Sequence, residues 1–76
     1  MGWLPLVRSV GHAQYLARTQ FGQQIDVDCI FGGATDRAIR IIQRFCRQAS
    51  GRRDIAVDGI VGAVTWRILD AGSCYA

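Results

Sequence analysis

The chain has 76 residues, half of them hydrophobic and a fifth charged, with nine basic residues against six acidic ones and a net charge of +3. That length allows one small domain with a modest core, and it excludes a catalytic barrel or a nucleotide-binding sheet flanked by helices. The composition is that of a globule and not of a disordered tail, and no apolar run approaches the ~20 residues that span a bilayer.

Residues 1–8 place no basic residue ahead of their apolar stretch, and Arg8 interrupts it, so they make a poor secretion signal. Residues 1–5, with Trp3 and Pro5, read as a leader folded onto the body. Residues 6–20 fit a first helix carrying Val7, Val10, Gln14, Leu16 and Ala17, ended by Phe21-Gly22. Residues 33–49 are more strongly helical in pattern. Ala34, Ala38, Ile41, Ile42, Phe45 and Ala49 recur at spacings of three and four, Asp36 stands four residues before Arg40, and Ser50-Gly51 is a stop. A shorter helix over residues 63–71 carries Val64, Ile68 and Leu69 and ends at Gly72. No segment alternates long enough for a strand, and Ile55-Ala56-Val57 would at most add a short bridge beside Ile25-Asp26-Val27. The expected fold is all-α, a compact three-helix bundle forming a single domain over residues 1–76.

The joints between these helices repeat. Residues 25–37 align with residues 55–67 at an offset of thirty, with seven of thirteen positions identical: the Ile, Val, Asp, Ile, Gly, Thr and Arg positions. In the second copy Asp58 can accept from backbone amides ahead of it, and Gly59 tolerates a positive φ. Ile60 and Val61 are then expected to face the core, Gly62 to open the next helix, and Thr65 to bond locally in its first turn. The first copy repeats the device with Cys29 in the glycine position, at a cost in strain unless φ is negative there. The three cysteines, Cys29, Cys46 and Cys74, match neither a zinc site nor a Cys-x-x-Cys pair, and read as buried thiols. One disulfide becomes possible if the protein works outside a cell.

Asp58-Gly59-Ile60-Val61-Gly62-Ala63-Val64-Thr65-Trp66, its partial copy from Asp28 to Thr35, and Gln43 with Phe45 on the intervening helix carry a family resemblance. The chain resembles the peptidoglycan-binding domain-like family of three-helix modules, whose hallmark is a repeated Asp-Gly-x-x-Gly-x-x-Thr loop. The departures are Cys29 in the first loop and the order Gln43-Arg44-Phe45, where the family has adjacent Phe and Gln. The resemblance implies a non-catalytic module that holds onto bacterial peptidoglycan, without a cofactor. With no export signal read in the sequence, a bacteriophage protein meeting the wall from a particle or after lysis is the economical expectation. The alternative is a structural virion protein, a capsid decoration or tail component, using the same fold for protein–protein contacts.

Residue by residue, enzyme readings find little. His12 is the single histidine, and with scattered Cys and Asp it supplies no recognisable metal-ligand set. Nothing marks a cysteine as an activated nucleophile, and Asp28 and Asp58 are better explained as turn-formers than as a glycosidase pair. No catalytic or metal-binding residue is therefore expected. Binding readings find more, because glycan and peptide recognition favours exposed aromatics beside hydrogen-bonding groups. The candidates are Tyr15, Phe31 and Trp66 with Asp28, Gln43, Asp58 and Thr65; the competing reading makes the aromatics packing residues and the polar ones loop architecture. Arg37, Arg40, Arg44 and Arg47 form a stripe extended by Arg52 and Arg53, either a solvated face or a contact surface for an anionic partner. Nucleic acid is not expected, since the charge is modest and the doubled loop is foreign to helix-turn-helix proteins. No membrane association is expected either.

Overall fold

A computed structural model describes residues 9–76 of the chain. The expected leader, with Trp3 and Pro5, and the first residues of the expected first helix, Leu6, Val7 and Arg8, lie outside the described residues. Three helices follow: α1 (Val10–Phe21), α2 (Gly33–Ser50) and α3 (Ala63–Ala71). Among the described residues there is no strand, as the sequence leads one to expect, and the short bridge that the 25–27 and 55–57 segments could at most have added does not form.

Local chemistry sets the helix ends. Ser9 is the N-cap of α1, its hydroxyl accepting the His12 N–H at 3.1 Å, which starts α1 at Val10. Gly22, Gly51 and Gly72 end the three helices in the left-handed conformation, each N–H returning to a carbonyl of the last turn. α1 packs against both α2 and α3. The core between them is small: Ala13, Ala17, Ile39, Ile42, Cys46, Ile55, Ile68, Leu69 and Cys74. Only five of these are large aliphatics, each contributing roughly 1.5–3 kcal/mol on full burial. A domain of this size therefore depends on further restraints.

One restraint is covalent. Cys46 on α2 is joined to Cys74, beyond α3, across a separation of 28 residues with the Cα atoms 4.8 Å apart. Both are buried, as expected, but as a disulfide and not as thiols; Cys29 alone is free, and it is exposed. Arg52 reinforces the closure: one nitrogen donates to the Cys74 and Ala76 carbonyls, and its fork holds the Asp54 carboxylate, keeping that group below its usual pKa. Tyr75 adds a hydrogen bond from its hydroxyl to the Ala49 carbonyl.

The face α2 turns inward differs from the expected one. Thr35, Ala38, Ile39, Ile42, Gln43 and Cys46 are buried, while Ala34, Ile41, Phe45 and Ala49 are exposed. Two polar side chains displace the apolar ones because the joints need them inside.

Candidate functional site

Both joints are built around a buried glutamine. In the first corner the Gln14 side-chain amide donates to Thr35 Oγ1 (2.8 Å), Asp28 Oδ1 (3.0 Å) and the Ile30 carbonyl (3.0 Å). Its oxygen accepts the Cys29 and Asp28 N–H groups at 2.9 and 3.1 Å. In the second corner the Gln43 amide donates to the Ile60 carbonyl (3.0 Å), Thr65 Oγ1 (3.1 Å) and Asp58 Oδ1 (3.2 Å). Its oxygen takes the Gly59 and Asp58 N–H groups at 2.9 and 3.1 Å. Each Asp carboxylate also accepts the N–H two residues ahead, Ile30 and Ile60, as the sequence suggests. The Ile30 N–H and then the Gln14 amide hold the Asp28 carboxyl below its ordinary pKa. Each glutamine thus gives one extended loop the partners that a strand would otherwise supply.

The two corners also share a left-handed residue, Cys29 at φ 63° and Gly59 at φ 75°. The negative φ that would have spared Cys29 is not adopted. What differs is who owns the space beside it. At Gly59 an added methyl would overlap the Asp36 carboxylate and crowd the Arg40 guanidinium, so both side chains would have to move, and the positive φ adds strain. At the first corner the loop carries the side chain and the helix is bare: a Cβ on Gly11 would lie 2.6 Å from Cys29 Sγ. Gly11 stands three residues before Gln14, as Arg40 does before Gln43. The corners are the same device with bulk moved from helix to loop. Gly11→Ala should therefore cost about 1–3 kcal/mol in the native chain and far less in a Cys29→Gly background. A urea double-mutant cycle checks this; additive losses would contradict it.

The candidate site residues separate into two groups. Gln43 and Thr65 are buried at 1% and 6% exposure with their polar atoms engaged in the corner, and together with Asp58 and Ile60 they line a hollow of about 200 Å³. Asp28 and Asp58 are exposed at their edges but serve the same networks. Phe31 and Trp66 behave differently. They line one open groove of about 390 Å³ together with Val10, Ala13, Ile60 and Val61. Ile60 does not turn to the core as expected but stands 66% exposed at the groove, while Val61 is half-buried against the core. Trp66 is half-buried and is met edge-on by His12, with ring centroids 5.7 Å apart. Tyr15 is exposed but does not line this groove.

The arginine candidates also divide. Arg40 pairs with Asp36 at 3.1 Å, as the i,i+4 spacing suggests. Arg47 donates to the Ile55 carbonyl, and Arg52 is held by Asp54, Cys74 and Ala76. Arg37, Arg44 and Arg53 are exposed and have no such partner among the described residues. The signal missed in the sequence is Gln14, whose offset to Gln43 is 29 and not thirty, which puts it outside the loop alignment.

Among the described residues no group of three or more His, Cys, Asp or Glu side chains is placed to hold a metal ion. No helix of the described residues is long and apolar enough to cross a membrane. No known protein family, curated protein or solved structure matches the chain.

Proposed function

We propose that this chain is a non-catalytic binding module for bacterial peptidoglycan. The observation that carries the reading is the convergence of the two corners on one groove. The doubled Asp-x-x-x-Gly-x-x-Thr loops, which resemble those of wall-binding modules, present Phe31 from the first loop and Trp66 from the helix after the second. An open groove with two aromatic faces and aliphatic Ile60 and Val61 suits the apolar faces of sugar rings and the methyl groups of a wall polymer. Apart from the Trp66 indole, the one polar side chain lining the groove is Ser9, whose hydroxyl caps α1, a lining that favours binding over chemistry.

The test is retention on purified sacculi. The native chain should sediment with them and release no soluble wall fragments. Ile60→Asp, at an exposed position, and Trp66→Ala should each weaken retention at least tenfold while circular dichroism keeps its helical signature. Retention untouched by both variants would contradict the proposal. So would an absence of retention combined with stable assembly onto a capsid or tail protein, which would put the structural virion reading in its place.

A further inference from the structure

We propose that the outward face of α2 docks an acidic, amphipathic helical segment of a partner protein. This face is separate from the groove of Phe31 and Trp66 and shares no lining residue with it. Between the end of α1 and the middle of α2 lies a notch of about 230 Å³ lined by Phe21, Gln23, Ile41, Ile42 and Phe45. Ile41 is 48% exposed and Phe45 59% exposed. The inward positions are taken instead by Ile39, Ile42, Gln43 and Cys46.

Charge decides what the notch accepts. Arg37 stands one helical turn before Ile41 and Arg44 nearly one turn after it, so both border the apolar pair. Both are exposed, and neither has a carboxylate partner among the described residues; Asp36, the one acidic residue of α2, is held by Arg40. The backbone positions of Arg37 and Arg44, seven residues apart, are separated by roughly 10 Å along the helix axis. A partner helix with carboxylates at i and i+7 and bulky apolar side chains at i+3 and i+4 matches that spacing. The carboxylates would meet the arginine forks and an apolar side chain would fill the notch. A second copy of this chain fits poorly, because pairing like faces sets Arg37 and Arg44 against their own counterparts.

The probe is a synthetic acetylated helical peptide of about fifteen residues with Glu at i and i+7 and Leu and Trp between them. Its control carries Lys in place of both Glu residues. Titrated into the ¹⁵N-labelled, disulfide-intact chain, the acidic peptide should shift amides at Phe21, Gln23, Arg37, Ile41, Arg44 and Phe45. The Lys control should bind at least tenfold more weakly. Arg44→Glu should reverse that preference between the two peptides, and Phe45→Ala should weaken both. Equal binding of the two peptides, or shifts mapping to another face, would overturn the proposal. So would selective binding of this face to phosphatidylglycerol vesicles or duplex DNA with none to the acidic peptide.

Discussion

Replacing Gln43 by leucine should lower the stability of the domain by about 3–5 kcal/mol, a large share of what keeps it folded. The reason is the number of groups one side chain satisfies. Its loss leaves the Asp58 and Gly59 N–H groups, the Ile60 carbonyl and the Thr65 hydroxyl without their internal partner. Each buried polar group left unpaired costs about 1–3 kcal/mol, discounted here because part of the loop reaches water. A domain of this length is stabilised by only about 4–11 kcal/mol in total. Gln43→Glu sharpens the test. The introduced carboxylate keeps the two acceptor bonds but cannot donate, and it faces Asp58. Burial and that neighbour raise the pKa of the introduced carboxyl in the folded state above its unfolded value. Its stability contribution is therefore present at low pH and lost as pH rises through the raised value. Urea unfolding should find Gln43→Glu less destabilised relative to the native chain at pH 4 than at pH 7. Equal deficits at both pH values would contradict the geometry.

Removal of the Cys46–Cys74 bond should cost about 3–4 kcal/mol, the chain-entropy value for a loop of this length. The effect is large because the core holds so few large side chains and both sulfurs sit within it. Urea unfolding of Cys46→Ala/Cys74→Ala, compared with the oxidised chain, reads the loss directly. Reduction of the native protein should give a similar deficit, since Cys29 is free and takes no part. The segment after α3 should loosen first, because its remaining ties are the Arg52 contacts to Cys74 and Ala76, the Tyr75 hydroxyl bond and the short bonds around Ser73. An oxidised and a reduced chain of equal stability would show that the closure adds nothing to the fold.

The three helices were legible because their signals are local. Gly22, Gly51 and Gly72 stop them where a left-handed cap is needed, and α3 runs over the expected residues 63–71. The thirty-residue offset was legible because the Asp turn, the left-handed position and the Gly and Thr that open each helix are imposed by one backbone shape. The partner of that shape was not. A glutamine reaching across from another helix leaves a single residue as its trace, and Gln14 and Gln43 are the only identity between the segments 11–15 and 40–44. Ignorance of that role misplaced the buried face of α2, since hydropathy gives no reason to bury Thr35 and Gln43 and to expose Ile41 and Phe45. The bulk exchange between Gly11–Cys29 and Arg40–Gly59 was hidden for a related reason: it depends on two residues that are distant in the chain and compensate in space. Phe31 and Trp66 were recognisable as candidates, but their meeting in one groove depends on how the corners fold together.

The most direct test of the paired corners is side-chain amide hydrogen exchange by NMR on the oxidised native chain, with Gln20, Gln23, Gln24 and Gln48 as internal references. The Gln14 and Gln43 amide protons should exchange far more slowly than those four and show contacts to Thr35 and Thr65 respectively. If all six glutamines exchange at one solvent-limited rate, or only one corner is protected, the claim that two equivalent glutamine-centred corners hold the helices is wrong.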